Sequence, residues 1–193
     1  EGPTDAAVAR ALIRAIGCEP GTDYITPRRG RGKGSFDRRL PGLNRSSLYH
    51  SPVLALRDLD ADESCPAALK HRLLPMPNSK MCFRIAVRSI ESWILADRSA
   101  IAAALSVEEI IIPERVDELV NPKRTIIELA KRSGSREVRS DLLPRSGSGI
   151  NEGPSLAGFL SEFAEHKWRP LRAAQIGNSP SLSRAVQKLR ELL

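Results

Sequence analysis

The chain has 193 residues, of which 41% are hydrophobic and 4% aromatic, and its formal net charge is +7 at pH 7. This predicts one domain of ordinary size, or one with a small appendage, with a core built mainly from Leu, Ile, Val and Ala. The composition disfavours an aromatic-rich β-sandwich. No apolar run approaches the roughly 20 residues that span a bilayer, so no membrane partner is expected. The excess positive charge instead predicts a polyanionic partner, namely nucleic acid.

The cysteines argue against a metal or disulfide scaffold. Cys18, Cys65 and Cys82 are odd in number, widely spaced and without a C-x-x-C pattern, and the three histidines are equally dispersed. This pattern favours buried free thiols in a reducing compartment, and hence a cytoplasmic location. The first residue is Glu rather than Met, so we expect further residues upstream, with which an N-terminal signal would be compatible.

The chain opens with a predicted helix and a basic loop. The helix begins near Pro3, repeats apolar residues at helical spacing and stops at Gly17. A short strand is expected from Asp23 to Thr26, and Phe36 to Leu48 is either a helix or an irregular connection. Between them lies a glycine-rich stretch that lacks the Walker A spacing. It predicts a nucleic-acid contact, with a merely solvated loop as the alternative. Its basic residues are Arg28, Arg29, Arg31, Lys33, Arg38 and Arg39.

Three carboxylates follow the most apolar strand. Val53 to Leu56 predict a strand buried on both faces, and Asp58, Asp60 and Asp62 come directly after it. Alternate residues of an extended chain point the same way, and parallel sheets bind ligands at the carboxyl ends of their strands. Converging acids need a positive partner, and Mg²⁺ or Mn²⁺ is the expected one. The alternative is a solvated turn, in which Asp62 caps the helix that starts near Glu63.

The pattern after these acids predicts a βαβ unit followed by helices. A helix over 63–74 and a strand over 81–87 make a parallel, right-handed pair with the first strand. Arg88 and Glu91 begin the next helix near the same sheet edge, and a surface ion pair between them is the alternative to a role in the site. Further helices are expected at 100–112, after Asn121-Pro122, at 154–167 and from Ser179 onward, with a loop over 133–151. The domain prediction is therefore an α/β unit over 1–100 and a helical extension over 101–193, or one compact domain.

Two motifs resemble a known family. Glu1-Gly2-x-Thr4-Asp5 followed by Leu56-Arg57-Asp58-Leu59-Asp60 resembles the TOPRIM domain of topoisomerases, primases and related nucleases. The run from Glu91 to Asp97, with Asn121-Pro122-Lys123 downstream, is similar to small, largely uncharacterised bacterial TOPRIM-like proteins that are often associated with genome-defence loci. The TOPRIM signature covers about the first hundred residues, and the looser resemblance covers nearly the whole chain.

The resemblance implies a fold and a set of roles. The fold is an α/β, TOPRIM-like (Rossmann-like) sheet of about four mostly parallel strands flanked by helices, with a helical C-terminal extension. Glu1 is the general acid/base or a further metal ligand, and Asp58 and Asp60 are the ligands of Mg²⁺ or Mn²⁺. Asp62 either completes the metal site or caps the next helix. Glu91 either extends the carboxylate cluster or anchors its own helix.

Three functions follow as hypotheses. The first is a Mg²⁺-dependent nuclease or related phosphodiester-transfer enzyme that acts on DNA or RNA in anti-phage defence. The second is a non-catalytic module of a defence complex that binds nucleic acid or a partner defence protein; a homo-oligomer is compatible with either. The third takes Asp58 and Asp60 as the nucleophile pair of a haloacid-dehalogenase-like phosphatase. That pattern usually has Thr or Val where this chain has Asp62.

Overall fold

The secondary structure is a short parallel sheet surrounded by helices. The computed structural model describes residues 2–21, 32–144 and 152–192. Its strands are β1 (Val53–Asp58) and β2 (Met81–Ala86). Its helices are α1 (Pro3–Ala15), α2 (Lys33–Tyr49), α3 (Pro66–Leu73), α4 (Ile90–Leu95), α5 (Arg98–Leu105), α6 (Pro122–Lys131), α7 (Arg136–Leu142), α8 (Leu156–His166), α9 (Pro170–Ile176) and α10 (Pro180–Arg190), with short 3-10 turns at Glu109–Ile111 and Val116–Glu118.

The two strands confirm the predicted βαβ unit. β1 and β2 are parallel, in a register that runs from Val53 opposite Met81 to Asp58 opposite Ala86, and α3 connects them. The chain is therefore of the mixed α/β class. The described residues contribute two strands to one sheet, and the four-stranded sheet implied by the resemblance is not shown. The strand expected from Asp23 to Thr26 lies outside the described residues.

The sheet separates two hydrophobic clusters because successive side chains of a strand point to opposite faces. On one face, Phe36 and Leu40 of α2 and Leu69 of α3 pack against β-strand residues such as Ala55 and Phe83. The opposite face belongs to a larger cluster to which β1 contributes Leu56. This larger cluster joins α1 and the sheet to the C-terminal helices, with members that include Leu12, Trp93, Ile126, Phe163 and Leu182.

A polar network fixes α10 against α4 inside this cluster. The Trp93 Nε1–H donates to Ser181 Oγ at 2.7 Å, and the Ser181 amide donates to Asp117 Oδ2 at 2.8 Å. Ser179 Oγ donates to the other Asp117 oxygen at 2.7 Å and accepts the Leu182 amide at 3.3 Å. The predicted cap at Ser179 is thus confirmed, and so is the cap at Asn121, whose side chain accepts the Arg124 amide at 2.9 Å.

Some local predictions were wrong. Residues 136–142 were expected to lie in a loop, but they form α7, because Ser135 accepts the Val138 amide and the buried Leu142 anchors the helix. The sequence pattern also missed α9, which begins at Pro170 and ends before Gly177 at φ 80°. The three thiols are free as expected, yet only Cys82 is buried and Cys65 is exposed. None of the described helices combines the length and apolar composition needed to cross a bilayer.

Candidate functional site

Asp58 ends β1 against the start of α4. Its Oδ1 accepts the Ile90 amide at 2.9 Å. The first amides of a helix have no partner within the helix, so a carboxylate there is favoured by both the hydrogen bond and the helix dipole. This contact brings the end of β1 beside Glu91, in agreement with the expected position of the two acids near one sheet edge.

Asp60 has different partners from Asp58. The alternation that would align the two side chains ends with β1, because Asp60 has a left-handed backbone with φ 51°. The Asp60 amide donates to the Arg88 carbonyl at 2.9 Å, and Arg88 Nη1 donates to the Asp60 carbonyl at 2.9 Å. The Asp60 carboxylate lies 3.4 Å from Lys33 Nζ and stays 44% exposed.

Arg57 pairs with three aspartates near the end of β1. Its side chain is 1% exposed and points to the face opposite Leu56 and Asp58. Its Nε lies 3.0 Å from Asp37 Oδ1, its Nη2 2.5 Å from Asp62 Oδ2 and its Nη1 3.7 Å from Asp60 Oδ2. A buried guanidinium is tolerated only when it is paired and hydrogen-bonded, and these aspartates supply that pairing.

Lys33, the first residue of α2, pairs with the same aspartates Asp60 and Asp62. Its Nζ lies 2.6 Å from Asp62 Oδ1. The hydrogen bond from Lys33, followed by the hydrogen bond from Arg57, lowers the pKa of Asp62, while the bond to Asp62 raises the pKa of Lys33. Lys33 was expected to contact nucleic acid and Asp62 to bind metal or cap a helix. In the structure the two pair with each other.

The described carboxylates after β1 have partners within the protein. Mg²⁺ requires near-octahedral oxygen ligation, whereas Asp58 holds a helix amide and Asp60 and Asp62 face Lys33 and Arg57. Across residues 2–21, 32–144 and 152–192, no group of three or more His, Cys, Asp or Glu side chains could hold a metal ion. Glu1, the expected acid/base, lies outside the described residues. The positive charge that the converging acids require is here supplied by the protein itself.

Glu91 belongs to a second, smaller ionic group. Its side chain is 8% exposed, accepts the Ser89 hydroxyl at 2.6 Å and lies 3.6 Å from Lys123 Nζ, which also lies 3.5 Å from Glu152. The ion pair expected between Glu91 and Arg88 does not appear among the described contacts. Sequence reasoning missed Lys123 and Glu152 as partners of Glu91. The only signal for Lys123 was its place in the motif that starts α6.

The basic residues predicted to contact nucleic acid fall into three groups: some lie outside the described residues, some have no described ion pair, and one pairs with an aspartate. Arg28, Arg29 and Arg31 lie outside the described residues. Arg38 is exposed and Arg39 half-buried on α2, and neither forms an ion pair with a described residue. These two are therefore available to an external anion, whereas Lys33 is engaged by Asp62.

Comparisons with known proteins gave no match. No protein-family model, no curated protein and no solved structure matches the chain. The resemblance to TOPRIM proteins therefore stays a prediction that depends on the motifs named above.

Proposed function

We propose that this protein binds nucleic acid through basic side chains that its own carboxylates leave unpaired. The observation that carries the proposal is the distribution of its +7 charge. Asp37, Asp60 and Asp62 are engaged by Arg57 and Lys33. Within the described part of the chain, no ion pair reaches a set of exposed arginines on α2, α6, α7 and α10 and directly after α6, namely Arg38, Arg45, Arg124, Arg132, Arg136, Arg184 and Arg190.

The physical basis is the release of counterions from phosphates. Each unpaired arginine that neutralises a phosphate releases counterions, so binding weakens as salt rises. If three phosphates are contacted, the affinity for duplex DNA should fall roughly 40-fold between 50 and 200 mM salt. Fluorescence anisotropy with labelled DNA and RNA measures this. Absence of binding at low salt, or an affinity that does not respond to salt, would contradict the proposal.

The scaffold of this function is proposed to be TOPRIM-like. The support is the parallel βαβ unit with acids at the carboxyl end of β1, together with the motifs quoted above. The same proposal includes a partner protein from a defence locus, because a module that only binds nucleic acid needs a partner to act on it.

A second candidate function is Mg²⁺-dependent cleavage of the bound nucleic acid. The observation that favours it is that Asp58, Asp60 and Asp62 follow one strand end and that Asp60 keeps 44% of its side chain exposed. Asp60→Asn is therefore expected to abolish any cleavage seen with Mg²⁺ or Mn²⁺. Glu128→Gln is a control, because Glu128 is an exposed carboxylate on α6 that pairs only with Lys131 among the described residues. Cleavage that persists in EDTA, or in Asp60→Asn, would eliminate this candidate.

A further inference from the structure

Four basic side chains lie on β2 and on the two helices that pack against it. We call them the β2-edge cluster: Lys70 of α3, Arg84 of β2, and Arg184 and Lys188 of α10. α3 and α10 both pack against β2. Arg84 shares its face of the strand with Cys82, while Phe83 and Ile85 enter the other core. Arg184 and Lys188 are four residues apart and therefore lie on one face of α10.

Among the described residues, the β2-edge cluster has fewer acidic neighbours than Arg57 has. Glu191 is the acid that acts on Arg84, and it already lies 2.9 Å from Lys188. Among the described residues, no ion pair reaches Lys70, Arg84 or Arg184, and the buried Nε of Arg84 has no hydrogen-bond partner. Buried polar groups in proteins are nearly always hydrogen-bonded, so an unpaired guanidinium N–H beside three further cations requires an explanation.

Burial and the neighbouring positive charges lower the pKa of Lys70 and of Arg84. Burial, followed by the positive charge of Arg84, lowers the pKa of Lys70. Burial also lowers the pKa of Arg84, and the charge of Arg184 acts in the same direction. Like charges held together disfavour their own charged forms, and an anion between them reverses that effect.

We propose that the β2-edge cluster binds a phosphate group. Arg84 and Arg184 supply planar forks that suit phosphate oxygens, and Lys70 and Lys188 supply point charges. This inference rests on the proposed function, because the phosphate group that we expect the cluster to bind belongs to a nucleic-acid backbone. A free phosphate or pyrophosphate presents the same chemistry. The alternative is that the charges only keep the edge of β2 from pairing with another strand.

The test compares two variants that lose equal charge. Arg84→Gln with Arg184→Gln removes two members of the cluster, while Arg72→Gln with Arg115→Gln removes two exposed arginines outside it that already pair with Glu63 and Glu118. We expect the cluster variant to lose about tenfold in affinity for a labelled oligonucleotide at low salt, and its salt slope to fall by about 1. The control variant should lose less than about threefold. Arg84→Lys with Arg184→Lys should retain the slope, and thermal melting verifies that all variants fold.

Pyrophosphate separates this inference from the proposed function. The wild-type protein should melt at a higher temperature in pyrophosphate, and the Arg84→Gln, Arg184→Gln variant should not. If the wild type shows this shift but binds no oligonucleotide, the phosphate site stands and the nucleic-acid function fails. If the oligonucleotide binds the cluster variant and the control variant equally well, the nucleic-acid function stands and the phosphate site is overturned.

Discussion

Arg57→Met is expected to destabilise the fold by about 3 kcal/mol, the lower end of the range for a broken buried ion pair. The guanidinium is 1% exposed, and its removal leaves Asp37, Asp60 and Asp62 without their central cation. The lower end applies because these carboxylates are partly exposed and water can hydrate them again. Urea unfolding measures the loss.

A matched control for this variant is Arg72→Met. Arg72 also bonds to a carboxylate, that of Glu63 at 3.0 Å, but its side chain is 53% exposed. An exposed pair contributes about 0–1 kcal/mol, so this variant should differ little from wild type. Equal losses in the two variants would mean that Arg57 is not the stabilising centre of the acidic group.

The cost of Arg57→Met should depend on pH. The hydrogen bonds from Lys33 and then from Arg57 hold the pKa of folded Asp62 below the value of about 3.9 for an unfolded aspartate. A carboxyl with a lowered pKa stabilises the fold above its unfolded pKa and loses that contribution as pH falls through its folded pKa. The free energy of unfolding should therefore differ between wild type and Arg57→Met by a constant amount near neutral pH, and this difference should become smaller below about pH 4.

Asp97→Ala is expected to cost about 2–3 kcal/mol, as for a hydrogen bond to a charged buried group. Asp97 is fully buried, and its Oδ2 accepts the Arg169 amide at 2.9 Å while its Oδ1 accepts Arg172 Nη2 at 2.6 Å. These bonds tie the junction of α4 and α5 to the start of α9. Alanine removes them and leaves the Arg169 amide without its partner.

Two further variants identify which bond matters. Arg172 is half exposed, so Arg172→Ala should cost less than about 1 kcal/mol. Asp97→Asn should fall between the two, because an amide oxygen still accepts from Arg169. Chemical unfolding of the three variants gives the ranking. If Arg172→Ala is as costly as Asp97→Ala, the surface ion pair and not the backbone bond holds α9.

The resemblance motif that ends in Asp97 shows why a pattern does not reveal a role. The run from Glu91 to Asp97 was identified as similar to a family, and Glu91 was weighed as a member of the site. The structure gives Asp97 a structural partner in α9 and gives Glu91 two partners, Ser89 and Lys123, of which only the second is distant in sequence. Contacts between residues so far apart depend on how helices pack, which single-sequence periodicity does not contain.

The residue pattern predicts the α/β class, the parallel pairing of β1 with β2, and the helices that have Pro starts, Ser or Asn caps and a clear apolar face, such as α6 and α10. These features depend on neighbours within a few residues, where spacing alone decides the geometry. The cation that lies between the acids near the end of β1 is revealed by the folded structure and not by the residue pattern. Arg57 sits within that motif, yet its strand direction buries it beneath Asp62 and next to Asp37 of α2, while the left-handed turn at Asp60 separates that residue from Asp58. Which cation neutralises a group of carboxylates depends on the packing of distant helices against the sheet, and that information appears only when the chain has folded.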